Sequence, residues 1–395
     1  MELKKKKVKD LKPAGYNPRI NIKENKSLYK KLESSIDKFG LVEPIIWNKK
    51  TGHVVGGHQR LQILKDKKID ETEVVVVDLS LDEEKSLNIA LNKISGDWDD
   101  EKLNTLLQDL QKMDEELSEL TGFDITEIDK LLDEFREPDE ETFDVDAAIE
   151  RKPKYLVKTG EMFQLGKHRL LCGDAVIEKN LKKLLNGKKA DMVFTDPPYN
   201  VSYGSSKHKI RSIEGDCQSL IEWLNFNKIF INNIINNYNG GDVYIWGGSG
   251  PDGMTQRLML HELGFHWSAT IIWNKQQLVL SPANYQRKYE PCFYGWFQKS
   301  SFVGDRKQVE VWDVDRPLKS DEHPTMKPIE LCTKGILNSS LKNDAVLDLF
   351  GGSGSTLIAC EQTDRRCFMM EIDPRYCSII IERWEDFTGK KHKKV

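Results

Sequence analysis

The sequence predicts an α/β fold built on a mixed sheet, preceded by a smaller α+β domain. Three apolar runs carry that prediction. Asp191-Met192-Val193-Phe194-Thr195, Ala345-Val346-Leu347-Asp348-Leu349 and Arg366-Cys367-Phe368-Met369-Met370-Glu371-Ile372-Asp373 each read as a buried strand. The second opens into the turn Gly351-Gly352-Ser353-Gly354 and then the helical run from Ser355 to Cys360. Three segments are expected along the chain: residues 1–97, 98–154 and 155–395.

In the first segment, Leu32, Ile36 and Phe39 mark a short amphipathic helix, with Gly40 placed as its cap. Val42 to Trp47 and Val74 to Val77 read as strands. Between them, His53-Val54-Val55-Gly56-Gly57-His58-Gln59-Arg60 is a glycine turn that opens a helix and carries a cation. A helix N-terminus beside an arginine is a physically sensible anion site. With Asn17-Pro18-Arg19 upstream, this segment resembles the ParB-like partition fold, which is shared with sulfiredoxin. The resemblance implies a degenerate anion or DNA-backbone module at Arg19, Gly57, His58 and Arg60, with a purely structural domain as the alternative. Two residues depart from the relatives. Gln59 stands where partition proteins usually carry a first arginine, and sulfiredoxin's cysteine is absent, with His58 nearest its place.

In residues 98–154, Leu103, Leu106, Leu107, Leu110 and Met113 recur at helical spacing, and the intervening acids make a solvated outer face. Glu137-Pro138-Asp139-Glu140-Glu141-Thr142 reads as an acidic linker that sets the reach between domains.

The chemistry is concentrated in residues 155–395. Asp196-Pro197-Pro198-Tyr199 follows the first of the three strands and offers a carboxylate, two stiff prolines and an aromatic ring. The glycine turn offers backbone that a bulky ligand can approach closely. Its spacing is not that of a dinucleotide fingerprint, and it lacks the lysine of a phosphate loop. Glu371, about twenty residues beyond the turn, stands where an acid accepts hydrogen bonds from ribose hydroxyls in dinucleotide folds. A nucleoside-bearing cofactor follows from that pairing, without a pyrophosphate cradle.

An exocyclic amine on a nucleobase is a poor nucleophile because its lone pair is delocalised into the ring. Acceptors that draw on its N–H protons as positive charge develops on nitrogen stabilise the transition state more than the ground state. Asp196 and the carbonyl of Pro197 can serve as those acceptors, the latter on backbone that proline stiffens. Tyr199 offers a ring on which an extruded base can stack.

These residues resemble the amino-methyltransferases of DNA. Asp196-Pro197-Pro198-Tyr199 matches their catalytic motif and Asp348-Leu349-Phe350-Gly351-Gly352-Ser353-Gly354 their cofactor motif. Further matches are Cys172-Gly173-Asp174, Ile271-Ile272-Trp273-Asn274-Lys275, Tyr289-Glu290-Pro291-Cys292-Phe293-Tyr294-Gly295 and His323-Pro324-Thr325-Met326-Lys327-Pro328. The catalytic motif precedes the cofactor motif, which resembles the permuted order called the beta group. The resemblance implies a Rossmann-like seven-stranded mixed sheet, a methyl donor in S-adenosyl-L-methionine and double-stranded DNA as partner. Carried over residue by residue, it makes Asp196, Pro197, Pro198 and Tyr199 catalytic. It makes Asp174, Asp196, His323, Thr325, Lys327, Asp348, Phe350, Gly351, Gly352, Ser353, Gly354, Thr356 and Glu371 contacts of the cofactor. Lys327 is expected to pair with the methionine carboxylate and Phe350 to pack on the adenine. Asp373 reads as a helix cap, because Asp373-Pro374 is a standard way into a helix.

In the family, aspartate at position 196 usually accompanies the N6 amine of adenine and serine the N4 amine of cytosine. N4-cytosine methylation and a DNA-binding regulator with a cofactor-sensing half are the alternatives. A sensor alone needs no amine-activating carboxylate, and protein-amide enzymes tend to carry asparagine at that position. Attack from cytosine C5 needs a cysteine nucleophile, and Cys360, the nearby thiol, falls on the apolar face of the cofactor helix.

Composition fits a two-domain intracellular enzyme: 395 residues, 38% hydrophobic, with no apolar run of ~18 residues to span a membrane. The resemblance implies a bacterial cytoplasm, with the enzyme encoded by the bacterium or by a phage in it. The seven cysteines form no Cys-x-x-Cys pair, so reduced thiols and no metal are expected. A net charge of −4 is unevenly spread, with acids crowding residues 97–150. Lys207, Lys209 and Arg211 follow the catalytic strand on a loop that could close over DNA, and Arg287, Arg306 and Arg316 are candidates for groove contacts. The reading is compatible with a homodimer. No partner nuclease is visible, so an orphan enzyme outside a restriction-modification pair is expected.

Overall fold

The structure is a computed structural model that describes residues 2–19, 21–93, 102–103, 105–106, 109, 133, 141–200, 218–279, 284–305, 307–315 and 327–395. The chain divides into two units, residues 1–137 and 138–395.

The first unit holds β1 (Glu2–Lys7), β2 (Lys12–Pro13), α1 (Lys26–Phe39), β3 (Ile45–Asn48), β4 (His53–Gly56), α2 (His58–Asp66), β5 (Glu71–Val77) and α3 (Leu81–Lys93). Its sheet runs β1-β5-β3-β4-β2, with β3 parallel to β5 and antiparallel to β4. Val8, Leu11, Ile45, Val54, Leu61, Leu64 and Val74 form its core. Gly40 ends α1 at a φ of 72°, as its placement after the apolar stripe predicts. A second interior feature is polar. Glu84 on α3 is wholly buried and accepts from Tyr16 Oη at 2.6 Å, from Asn48 Nδ2 and from Thr51 Oγ1, with His53 Nδ1 at 2.9 Å. Burial opposes its charge, and those bonds hold its carboxyl below the usual range.

The second unit begins with α4 (Val145–Glu150), β6 (Met162–Leu165), β7 (His168–Cys172), α5 (Glu178–Leu185), β8 (Met192–Thr195), α6 (Leu220–Asn237) and β9 (Val243–Trp246). It continues with α7 (Pro251–Glu262), β10 (His266–Val279), β11 (Arg287–Trp296), β12 (Val311–Asp313) and α8 (Ile329–Ser339). It ends with β13 (Ala345–Asp348), α9 (Ser355–Gln362), β14 (Arg366–Glu371), α10 (Pro374–Thr388) and β15 (Lys393–Lys394). The three apolar runs are β8, β13 and β14, side by side and parallel. Strands covered on both faces need no polar alternation, which is why they read as continuous apolar runs.

The sheet has ten strands, in the order β12-β10-β11-β9-β8-β13-β14-β7-β6-β15. The expected seven, from β10 to β7, lie at its centre with β11 antiparallel to both neighbours. The additions are the short strands β12 at one edge and β6 and β15 at the other, the last only Lys393–Lys394. Because the sheet is parallel around β8 and β13, both strands deliver their C-terminal ends, and the loops after them, to one rim.

The second unit also takes in part of the expected linker. Val145 and Ala148 of α4 pack on Ile379 of α10, with Phe143 and Tyr376 around them. Asp373 caps α10 by accepting from Arg375 N at 2.7 Å, as the Asp-Pro entry predicts.

Candidate active site

β8 delivers Thr195 and Asp196 to the rim, and β13 beside it delivers Asp348. Thr195 Oγ1 donates to Asp348 Oδ1 at 2.9 Å and accepts from Leu349 N at 3.1 Å, so the two strand ends are locked together. After β13 the chain turns through glycine for steric reasons. A Cβ on Gly351 would stand 2.7 Å from Met369 Cγ, and Gly354 enters α9 at a φ of 90°. Glu371 Oε2 accepts from Gly352 N at 2.7 Å, and its other oxygen from Asp373 N at 2.9 Å. The acid at the end of β14 therefore holds the turn itself.

A pocket with about 380 Å³ of empty space, part of it open solvent, lies between these elements. Asp196, Lys327, Cys332, Asp348, Phe350, Gly351, Gly352, Ser353 and Thr356 are among its walls. Phe350 packs edge-on against Phe230, with ring centroids 5.4 Å apart. Burial pushes Asp348 up to about 7, and Glu371 likewise to about 7. Gly354 stands outside the lining as the N-cap of α9. Asp174 and Glu371 also stand outside it; Asp174 Oδ1 accepts from Val176 N at 3.0 Å.

Asp196 sits in a cluster of charges. Lys327 Nζ donates to its Oδ2 at 2.6 Å and Tyr199 Oη to its Oδ1 at 2.6 Å. The same ammonium lies 3.1 Å from Tyr199 Oη and 3.0 Å from Glu290 Oε2. Lys275 closes the chain on the other oxygen of Glu290. Protein crowds the Asp196 carboxylate on most sides, although 27% of the side chain still meets solvent. That crowding raises its carboxyl, and Lys327 opposes the rise. Burial also works against the Lys327 charge, but Asp196 and Glu290 together hold the ammonium above the usual lysine range. Glu290 lies below the usual range: its burial is outweighed by Lys327 and Lys275.

Lys327 thus meets Asp196 and Glu290, where the sequence expectation was a cofactor carboxylate. Lys275 and Glu290 lie in the segments 271–275 and 289–295, and the structure gives them a role in holding Lys327. Their signal is position: Lys275 follows the apolar run Ile271-Ile272-Trp273, and Glu290 precedes the run Pro291-Cys292-Phe293-Tyr294. Gly248 and Gly250 stand at the same rim. A Cβ on Gly248 would come within 3.7 Å of Tyr199 Cβ, and one on Gly250 within 3.7 Å of Arg287 Nη2. Exposed Arg287 is therefore placed near the site. Lys207, Lys209, Arg211, Arg306, Arg316, His323 and Thr325 lie outside the described residues, as do Leu107, Leu110 and Met113.

In the first unit, Gly57 caps α2 at a φ of 86° and His58 begins the helix. Burial, and then the charge of Arg19, lower His58 to about 4, so this ring is neutral near pH 7. Arg60 bonds the backbone carbonyl of Glu43 and pairs with its carboxylate at 2.7 Å.

Residues 190–382 match the model of a family described as DNA methylase. Residues 1–93 match the ParB N-terminal domain, and residues 101–156 the ParB-methyltransferase HTH domain. The chain is a DNA methyltransferase with a ParB-like domain in front. It is 25% identical over 248 residues to the type II methyltransferase M.HpaI of Haemophilus parainfluenzae, covering 56% of this chain and 76% of that one. Against the type II methyltransferase M2.MboI of Moraxella bovis the identity is 26% over 228 residues, covering 50% and 81%. The crystal structure of M1.HpyAVI with SAM superposes with a TM-score of 0.41 at 24% identity, covering 54% of this chain and 98% of that one. The segment read from sequence as an acidic helix and linker overlaps the helix-turn-helix match. The catalytic match spans both the Asp196 rim and the glycine turn of the methyltransferase.

Proposed function

We propose that this methyltransferase transfers the methyl group of S-adenosyl-L-methionine to the N6 amine of adenine in double-stranded DNA. The observation that carries the reading is one pocket walled on one side by the glycine turn and on the other by Asp196. The donor set fits the cofactor. Asp348 and Asp196 give the cavity acidic walls, which favour a sulfonium and hydroxyl donors over a phosphate. Gly352 leaves open space where a side chain would otherwise stand. When bound, the cofactor supplies an electrophilic methyl carbon.

The chain's own residues then bind, orient and polarise. Phe350 and the backbone from Gly351 to Ser353 hold the nucleoside, while Asp348 holds the sulfonium end. Tyr199 and the stiff Pro197-Pro198 backbone receive an extruded base. Asp196 Oδ2 accepts an N–H of the amine and draws on that proton as charge grows on nitrogen. Lys327 has to yield this oxygen, because its ammonium already donates there. Glu290 gives the ammonium a second place to rest. Arg287 approaches the DNA backbone beside the site, and the ParB-like domain adds an anion or DNA-backbone contact around Arg19, Gly57 and His58. A bacterial or phage-infected cytoplasm is the setting that suits a DNA substrate.

The test incubates the protein and its Asp196→Ala variant with unmethylated bacterial DNA and methyl-labelled cofactor, followed by nucleoside separation. Label is expected in N6-methyladenine and is expected to fall by about 10²- to 10³-fold or more in the variant, a larger fall than any loss of cofactor affinity. Label in N4-methylcytosine corrects the base and keeps the mechanism. Absence of label with intact cofactor binding would sink the reading and favour a DNA-binding regulator.

A further inference from the structure

The residues that brace the cofactor turn lie partly outside the methylase match. Arg383 on α10 is the first residue beyond residues 190–382, and its side chain is 3% exposed. Its Nη1 donates to the carbonyl of Ser353 at 2.9 Å and reaches Ser353 Oγ at 3.2 Å and Ser355 Oγ at 3.4 Å. A buried guanidinium needs a counter-charge, and here it comes from far along the chain. Glu141 takes Arg383 in a two-pronged pair, with Nη2 to Oε2 at 2.7 Å and Nε to Oε1. Such planar pairs fix direction as well as charge. The chain of bonds continues inward, because Ser355 Oγ donates to the carbonyl of Lys327 at 2.7 Å. Lys327 is the residue whose ammonium rests on Asp196.

Glu141 itself is part of a strap. Residues 141–155 run along α10: Val145 and Ala148 pack on Ile379, Arg151 pairs with Glu382, and Tyr155 N donates to Ser378 Oγ at 3.0 Å. Glu141 falls inside the helix-turn-helix match of residues 101–156. The segment that ends the DNA-binding module is thus also the segment that anchors the guanidinium under the cofactor turn.

We propose that Arg383 and Glu141 are positioning residues for the cofactor: a strut by which the seating of residues 141–155 sets the Ser353 backbone of the glycine turn. The proposal rests on the reading of that turn as the S-adenosyl-L-methionine site. Arg383 acts through Ser353 and Ser355, and Glu141 acts through Arg383. Displacing the strap removes the counter-charge and lets the guanidinium leave the turn, which loosens the site without touching Asp196. Cofactor affinity is therefore coupled to whatever moves the end of the helix-turn-helix segment.

The test uses the full-length protein with four variants: Arg383→Lys, Glu141→Ala, Glu141→Gln and Arg151→Ala. The last breaks the Arg151–Glu382 pair on the same strap and leaves Arg383 untouched. Cofactor Kd is measured by titration with S-adenosyl-L-methionine, and methylation kinetics are resolved into kcat, KM for cofactor and KM for DNA. Thermal melts accompany each variant. Glu141→Ala and Arg383→Lys are expected to raise cofactor Kd and KM about tenfold, with kcat and the KM for DNA within about twofold. Glu141→Gln, which keeps one acceptor, is expected to recover part of that loss. Arg151→Ala removes a half-exposed pair while Val145, Ala148 and Tyr155 keep the strap seated, so it is expected to leave cofactor Kd unchanged.

Equal losses in Arg151→Ala and Glu141→Ala would overturn the proposal, since the strap would then only stabilise the fold. So would a Glu141→Ala protein whose cofactor Kd equals the wild type's. If the wild-type protein itself binds no S-adenosyl-L-methionine, the functional reading fails first, an outcome separate from both.

Discussion

The two units use one backbone device at two turns, and their flanking charges differ. In the first unit, β4 runs into Gly57 at a φ of 86° and then into α2. In the second, β13 runs through Gly351 and Gly352 to Gly354 at a φ of 90° and then into α9. Both aim a helix N-terminus at the space in front of the turn. Arginines 19 and 60 accompany Gly57, whereas Asp348 and Glu371 accompany the second turn. The left-handed glycine makes room, and on the proposed reading the neighbouring charges would select what enters: an anion at the first, a cation carrying hydroxyls at the second.

The largest way to break this contrast is to neutralise the acidic flank. Asp348→Asn is expected to weaken S-adenosyl-L-methionine binding by about ten- to a hundredfold, since a bond to a charged group contributes about 1.5–3 kcal/mol. Calorimetric titration of the full-length protein measures it, and an unchanged Kd would mean that the carboxylate does not face the ligand.

Alanine at each left-handed glycine sharpens the comparison. A Cβ on Gly354 would meet Ile380 at 3.1 Å, and one on Gly57 would meet Ile45 at 3.3 Å. Each substitution is expected to cost about 1–2 kcal/mol in its own unit, visible in thermal melts. Gly354→Ala alone is expected to raise the KM for cofactor. A rise in Gly57→Ala as well would erase the distinction between the turns.

The pH dependence follows from the two acids. Burial lifts Asp348 and Glu371 to about 7, above the ordinary carboxylate range, so the fold favours their neutral forms. The stability they contribute is full below that range and is lost as pH rises through about 7. Cofactor affinity has the opposite sign, because ionised carboxylates hold a sulfonium and ribose hydroxyls better. Melts with and without S-adenosyl-L-methionine, taken from about pH 5.5 to about 8.5, should therefore diverge with rising pH. Parallel curves would place the two acids away from the ligand.

The smallest effect is expected at the first turn. Arg60 pairs with a Glu43 side chain that is 79% exposed, so Arg60→Ala should cost under about 1 kcal/mol of stability. If the turn meets the DNA backbone, the same variant lowers the salt slope of DNA binding by about one.

Much of this contrast was legible in the sequence because its parts are local. Asp196 to Tyr199, and the run from Asp348 to Gly354, each sit at the end of an apolar strand, and a strand end followed by glycine or proline is visible within ten residues. The same holds for the caps at Gly40 and Asp373. What escaped depends on distant partners. Lys327 meets Asp196 and Glu290, and nothing in its own neighbourhood reveals that those two lie within reach. Glu141 read as part of a solvated linker, since its partner Arg383 stands 242 residues away. Seven strands were expected where ten pair, because β15, Lys393–Lys394, is too short to carry a pattern of its own. The wholly buried Glu84 likewise left no trace among the other acids of α3.

The strand order also has a consequence for biosynthesis. β13 sits between β8 and β14 in the middle of the sheet, yet it is made long after β8, with Val346 paired beside Met192. At about 5–20 residues per second, roughly 150 residues of translation leave the β8 edge without its partner for about eight to thirty seconds. During that time β7 lacks β14 as well. The ribosome therefore releases the amine-activating half before the half that closes the sheet, and an apolar edge waits open in between. A chain halted just short of Ala345 would be a sheet in two pieces, and a client for chaperones.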